Sequence, residues 1–142
     1  MPGPAYRDTF FNGMGSSHVY KTGTANSTAA EVLAAVTAKR YRLKSYIFRV
    51  GFDESATAAA DTALNAFWLA DGTTPFLGLG MLNGVDTTTV VADARELKFN
   101  SGLIVLPAYG VTGTAATAIN IDFTATSTQV TYQLDLWYDL ID

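Results

Sequence analysis

The side chains that could perform acid–base or nucleophilic chemistry are few in this chain of 142 residues. It contains one histidine, His18, and no cysteine, so any triad or histidine-based metal site within the chain would have to use His18. This residue follows a segment with the composition of a flexible arm, which is a poor place to hold a preorganised group. We therefore interpret His18 as a surface or interface histidine.

Carboxylates offer a second set of candidates. Asp53 and Glu54 are adjacent, whereas Asp61 and Asp71 follow in separate loops. Such groups could bind Ca²⁺ together with loop carbonyl oxygens, or act as acid and base in glycoside hydrolysis. However, adjacent residues at a strand end point in opposite directions, and the spacing matches neither chemistry. We interpret them, like the charged cluster at 93–96, as solvated turn charges.

Glycines at 78, 80 and 84 superficially resemble a phosphate-binding loop. That mechanism requires a helix N-terminus after the glycines, whereas the residues that follow are rich in threonine and typical of a strand. Glycines that allow close packing or a bulge in a strand are the better interpretation. The sequence therefore predicts no catalytic residues, no metal site, no cofactor and no enzymatic activity.

Composition limits the class of protein. A chain of 142 residues with 49% hydrophobic content suits one domain with a substantial core. No apolar run approaches the roughly 18–20 residues of a membrane helix, and residues 1–8 do not resemble a secretory signal. A net charge of −4 argues against a nucleic-acid partner, because phosphate binding requires a basic surface. We therefore expect neither a membrane nor a nucleic acid among the partners.

Charge is unevenly distributed along the chain. Five basic residues lie between Lys39 and Arg49, whereas no basic residue follows Lys98 and the C-terminal section carries only aspartates. Two interpretations remain open. Basic and acidic strands could pair head to tail between copies or dock on a charged partner. Alternatively, they are ordinary solvated strand faces.

The clearest structural signal lies between Val130 and Leu140. Apolar or aromatic residues occupy the even positions, and polar residues occupy the odd positions except at Trp137. This period of two predicts a long, half-buried antiparallel strand. Trp137 is then on the polar face, where a large apolar side chain is unfavourable unless a neighbour covers it. Since tryptophan is enriched at interfaces, we predict that Trp137 contacts another subunit.

Shorter alternating segments separated by turn signals predict further strands upstream. The strongest covers 41–52, with Tyr46, Phe48, Val50 and Phe52 on one face and Tyr41, Leu43 and Ile47 on the other, which indicates a central strand. Residues 31–36 also fit a short helix, because Thr28 and Glu31 have capping-box spacing, but valine content favours a strand. The remaining strands are expected at 18–22, 64–70, 76–82, 87–99, 103–106, 118–126 and 128–140.

Residues 1–17 differ from the rest of the chain. Their prolines and glycines rule out a regular element, yet Tyr6, Phe10, Phe11 and Met14 are too apolar for a simple disordered tail. We expect an extended N-terminal arm that buries these side chains on a partner. The following domain, residues 18–142, is predicted to be an all-β, antiparallel two-sheet β-sandwich of jelly-roll type. Its expected core members are Tyr46, Phe48, Val50, Ile119, Ile121, Phe123, Tyr132, Leu134 and Leu136.

The run at 22–28, the turn at 37–40, the segment 102–107 and the closing strand at 130–138 together resemble small all-β virion proteins of tailed bacteriophages. The resemblance covers about residues 20–140 and excludes the arm. It implies a capsid decoration, or cement, protein that is assembled in the host cytoplasm and binds the major capsid protein or other virion subunits. It further implies a homo-oligomer, with a trimer favoured.

Alternatives of other classes remain open. A carbohydrate-binding or receptor-binding β-sandwich module would need exposed aromatic platforms, for which Trp68, Trp137 and Tyr109 are the candidates. A tail or neck component of the virion would share the same sequence features. An enzyme is the least supported class.

Overall fold

The computed structural model describes residues 15–24, 29–52, 65–82, 97–124 and 130–142. Within these ranges the chain forms strands and no helix. The strands are β1 (Ser17–Thr24), β2 (Ala30–Leu33), β3 (Arg40–Phe52), β4 (Asn65–Asp71), β5 (Thr74–Leu82), β6 (Leu97–Asn100), β7 (Ile104–Val105), β8 (Val111–Thr112), β9 (Ile119–Phe123) and β10 (Val130–Ile141).

Two antiparallel sheets contain all of these strands. Sheet A has the order β1-β10-β3-β6, and β7 and β8 continue along the same edge of β3 as β6. Sheet B has the order β2-β9-β4-β5. The prediction of an all-β, two-sheet antiparallel sandwich is confirmed, and so is the central position of β3.

The core lies between the two sheets. All nine predicted core residues are buried, and Phe67 and Leu69 of β4 join them from sheet B. The ring of Phe67 lies 5.2 Å from that of Phe48 and 6.4 Å from that of Tyr132, measured between centroids. Because Phe48 and Tyr132 belong to sheet A, this aromatic cluster ties the two sheets together through contacts at favourable ring separations.

One feature of β3 was predicted wrongly from its alternation. Tyr41 and Leu43 do not face away from Phe48 but are buried in the same core. Lys44 is an extra residue in the ladder, because Trp137 pairs with Ser45 while Tyr138 pairs with Leu43. A bulge of one residue reverses the side-chain alternation, so Leu43 points into the core even though Ser45, two residues later, lies on the outer face.

Several strand boundaries also differ from the prediction. β2 ends at Leu33, and the hydroxyl of Tyr41 donates a hydrogen bond to the carbonyl of Ala34 in the loop that follows. β7 has only two residues, and the short strand β8 was not expected. Thr124 follows the end of β9. Of the strand predicted at 87–99, only the part from Leu97 lies within the described residues.

The hairpin between β4 and β5 confirms the predicted turn at Gly72 and Thr73, where Gly72 has a positive φ of 66°. Gly80 in β5 confirms the close-packing interpretation. A Cβ atom at Gly80 would lie 2.5 Å from the ring of Phe99, so no larger residue fits without displacing that ring. Gly84, the acidic residues at 53, 54 and 61, and the cluster at 93–96 lie outside the described residues.

Truncation of Leu134 to alanine is expected to lower the free energy of unfolding by about 2–5 kcal/mol, because this fully buried side chain would leave a cavity between the sheets. Leu140→Ala is the matched control on the same strand, since Leu140 is 43% exposed, and it should cost about 1 kcal/mol or less. Chemical denaturation measures both. Equal effects of the two variants would contradict the observed packing.

Stability is expected to fall as the pH rises above about 10. Burial raises the pKa of Tyr41, Tyr46 and Tyr132, and at Tyr41 the nearby Tyr138 and Glu31 add to the shift. The folded protein therefore keeps these phenol protons at a pH where the unfolded chain loses them, and stability declines until the raised pKa values are passed. Denaturation between pH 8 and 11 tests this. Tyr132→Phe should flatten the profile more than Tyr109→Phe, and a flat wild-type profile would refute the expectation.

Candidate partner-binding surface

The basic and acidic segments of the sequence lie next to each other in sheet A. Arg42 of β3 is the cross-strand partner of Asp139, and the Arg49 guanidinium lies 3.4 Å from the Asp135 carboxylate. Lys39 forms an ion pair with Asp142, and this hydrogen bond lowers the pKa of Asp142. Part of the charge that could have served a contact between copies is therefore neutralised within the chain.

Trp137 lies on the outer face of sheet A, as the alternation predicted. It is only partly exposed because His18, its cross-strand partner on β1, covers part of the indole, with ring centroids 4.7 Å apart and planes tilted by 35°. The Nε2 atom of His18 lies 2.8 Å from Oδ1 of Asp135. His18 therefore belongs to a paired strand rather than to the end of an arm. The predicted contact of Trp137 with another subunit stays a prediction.

The His18–Asp135 pair resembles two members of a hydrolytic triad, but no third member is present among the described residues. Asp135 is the one residue there that hydrogen-bonds to the His18 ring, and its second oxygen faces Arg49. Within the same ranges, no group of three or more His, Cys, Asp or Glu residues could hold a metal ion. The pair fixes β1 against β10 and orients the imidazole over Trp137.

An exposed apolar edge lies along the edge of sheet A that is farthest from β1. We define the apolar edge as Leu103, Ile104, Val105 and Tyr109, whose exposed fractions are 48%, 36%, 53% and 77%. Val105 pairs with Ser45 of β3, which in turn pairs with Trp137. The register thus places Val105, Ser45, Trp137 and His18 in one row, so Val105 and Trp137 lie on the same face with the buried Ser45 between them.

The loop that carries Tyr109 is held in an unusual conformation. Ala108, Tyr109 and Gly110 have successive positive φ angles of 53°, 66° and 101°. Such angles are rare for residues with a Cβ atom and persist only where the surroundings enforce them. The loop closes through a hydrogen bond from the Gly110 amide to the Pro107 carbonyl, 3.1 Å. Strained backbone of this kind is concentrated at functional sites.

Bonds to β3 enclose this loop on both sides. The Leu106 amide donates to the carbonyl of Lys44 over 2.8 Å, and the Gly113 amide donates to the carbonyl of Tyr41 over 2.8 Å. The Lys44 side chain lies beneath the loop, 3% exposed, with its ammonium 5.8 Å from the centroid of the Tyr109 ring. Among the described residues, Lys44 has no carboxylate partner. Tyr109 is therefore a rigidly held, outward-facing aromatic side chain above a lysine.

The remaining aromatic candidate, Trp68, lies on the outer face of sheet B opposite Asp122. Its side chain is half-buried, and its Nε1 atom is buried without a hydrogen-bond partner. The core separates Trp68 from Trp137, and Tyr109 lies on a loop beside sheet A. The three aromatics proposed as a glycan platform are thus not brought together on one surface.

The arm residues Tyr6, Phe10, Phe11 and Met14 lie outside the described residues, so their predicted partner-binding role stays a prediction. The described chain starts where this arm would join the domain. There the Ser16 amide donates a hydrogen bond to Asp139 over 2.7 Å, and Gly15 packs against the backbone of Tyr138. The junction is therefore anchored on β10, next to the start of β1.

Sequence reasoning missed the apolar edge and the lysine beneath it. The run Leu103-Ile104-Val105-Leu106 looks like a buried strand in the sequence, and only the fold shows three of its members exposed. The Pro-Ala-Tyr-Gly segment at 107–110 was the available signal, because proline and glycine at this spacing mark a turn.

Comparisons with known proteins give no family. No protein-family model matches the sequence, no curated protein matches it, and no solved structure matches the fold. Within the described residues there is no helix with the length and apolar character needed to cross a membrane.

Replacing Gly110 with alanine is expected to disrupt the Tyr109 loop. The added Cβ would lie 2.2 Å from the carbonyl oxygen of Leu43, at a φ that disfavours any side chain. We expect a loss of about 1–3 kcal/mol in the free energy of unfolding. Gly102→Ala is the control, because its φ is also positive but no atom lies within 4 Å of the added Cβ. Gly110→Ala should be the more destabilising, and the opposite order in thermal or chemical denaturation would contradict the described loop.

Proposed function

We propose that this protein is a non-enzymatic virion structural protein of a tailed bacteriophage. Its proposed role is that of a decoration or cement protein, which binds the outer surface of the head as an oligomer. The partners are the major capsid protein or other virion subunits, and the location is the virion. The single observation that carries a binding role is the apolar edge, which is exposed and held in place by a strained loop.

Contiguous exposed apolar side chains are uncommon on soluble proteins and mark sites of interaction. Tyr109 is well suited to such a contact, since tyrosine is enriched among the residues that dominate binding energies. Its backbone is already constrained, so little conformational entropy remains to be lost when a partner binds. A lattice of many such copies needs only modest affinity at each contact.

Strand order supports the jelly-roll part of the proposal. β6, β7 and β8 all pair with the same edge of β3 and can be regarded as one interrupted strand. If these three count together as strand 6, then β9 becomes strand 7 and β10 becomes strand 8. The sheet orders are then 1-8-3-6 and 2-7-4-5, and most successive strands alternate between the two sheets. Two four-stranded antiparallel sheets with this alternation support a jelly roll, a fold found in viral capsid proteins.

The alternative, a carbohydrate-binding or receptor-binding module, has less support. A glycan platform needs aromatic faces open to solvent beside polar groups. His18 covers part of Trp137, and Trp68 is half-buried, so Tyr109 is the one of the three candidates that is largely exposed. The apolar edge would equally serve a tail or neck component, and this alternative is distinguished by which part of the virion the protein binds.

The test is binding to heads assembled without this protein, measured by co-sedimentation at increasing concentration. Val105→Asp and Tyr109→Ala should each weaken binding by about tenfold or more, because truncating a central contact commonly costs more than 1.4 kcal/mol. Val36→Ala is the matched control, as Val36 is an exposed apolar residue away from the edge, and it should bind normally.

A chain lacking residues 2–15 tests the predicted arm in the same assay. A large loss of binding with an unchanged melting temperature would assign attachment to the arm, and a small loss would assign it to the apolar edge. A wild-type protein that does not bind heads, but binds tails, necks or a glycan, would overturn the decoration role.

A further inference from the structure

The two sheets carry opposite charge. The strands of sheet A contain six lysines and arginines and two aspartates, a net charge of +4, with the basic residues at 21, 40, 42, 44, 49 and 98. The strands of sheet B contain no lysine or arginine and three acidic residues, a net charge of −3. The asymmetry seen along the sequence thus becomes, in the fold, an asymmetry between the two sheets.

Part of this charge points away from the core. On sheet A, Arg40 and Arg42 alternate with the buried residues Tyr41 and Leu43, so their side chains lie on the outer face. Neither arginine forms a salt bridge among the described residues, although Arg42 is the cross-strand partner of Asp139. Arg49 on the same face is paired with Asp135 and Lys44 is buried, so the basic residues available for a contact on this face are Arg40 and Arg42.

On sheet B, Glu31 and Asp122 lie on the outer face. Glu31 is exposed and pairs with Asn120, which alternates with the buried residues Ile119 and Ile121 on β9. Asp122 occupies the same face one step further along β9, and it has no basic partner among the described residues. The third acid, Asp71, is used within the chain, because it accepts hydrogen bonds from the amide and hydroxyl of Thr114.

We propose that copies of this chain associate head to tail, with Arg40 and Arg42 on the outer face of sheet A in one copy against Glu31 and Asp122 on the outer face of sheet B in the next. Contacts between two like faces are disfavoured, because they would bring unpaired arginines, or unpaired carboxylates, close to one another. A contact between two different faces generates a ring where the rotation closes and an open filament where it does not.

Each face also carries a tryptophan that supplies apolar area for the contact. Trp137 lies on the outer face of sheet A and Trp68 on that of sheet B, and both side chains are partly exposed. Tryptophan is among the residues most enriched at the energetic centre of interfaces. Such an oligomer would be the form that binds the head, so this contact deepens the proposed function and rests on it for the identity of the surface bound.

Charge reversal tests the head-to-tail contact in the purified full-length chain. Mass is measured by light scattering and sedimentation at about 10–100 µM protein, in low salt and in 0.5 M NaCl, where exposed charges are largely screened. We expect the wild type to be oligomeric in low salt, and Arg42→Glu and Glu31→Arg each to weaken association at least tenfold. The double variant should associate like the wild type, since it exchanges the charges across the same contact.

Lys21→Glu is the control, as it changes the net charge as much as Arg42→Glu does but is the cross-strand partner of the core residue Leu134, away from the outer face. It should associate like the wild type. If a charge-reversal variant has a lowered melting temperature, the corresponding neutral variant, Arg42→Gln or Glu31→Gln, is used in its place. It is also expected to weaken association.

A wild type that stays monomeric in low salt would overturn the inference, as would single variants that associate normally or a folded double variant as weak as the single ones. These outcomes are separable from the proposed function. A monomer that binds heads would refute only the head-to-tail contact. An oligomer that does not bind heads would refute only the decoration role.

Discussion

The pairing of β3 with β10 is the interaction on which the rest of this structure depends. It joins twelve residue pairs in antiparallel register, and both strands are flanked on their other edges by further strands of sheet A. One face of the ladder supplies Phe48, Leu134 and Leu136 to the core. The other face sets basic residues of β3 beside aspartates of β10, so hydrophobic burial and charge pairing favour the same register.

The bulge at Lys44 decides what this ladder presents to other molecules. One additional residue lets Leu43 and Tyr41 enter the core while Ser45 stays on the outer face opposite Trp137. The same residue offers its carbonyl to Leu106 and its side chain to the Tyr109 loop. Bulges commonly redirect side chains near functional sites. Here the bulge connects the core, the outer face and the apolar edge at a single position.

Much of the fold was predictable because strand alternation is a local property. The closing strand, β3, β9 and the turn at Gly72 all follow from period-two patterns and turn chemistry, and all nine predicted core residues are buried. The outward direction of Trp137 was predictable for the same reason. Strand ends were less predictable, as at β2, where Ala34 leaves the ladder and its carbonyl binds the Tyr41 hydroxyl of another strand.

The sequence by itself therefore determined the class of fold, the core-facing residues of the regular strands and the scarcity of catalytic groups, since each depends on residue type and near neighbours. Only the tertiary structure decided the bulge at Lys44, the exposure of Leu103 and Val105, the covering of Trp137 by His18 and the opposite charge of the two sheets. These features depend on which strands become neighbours. Partners such as His18 and Trp137 are more than a hundred residues apart in the chain, and no local pattern records their pairing.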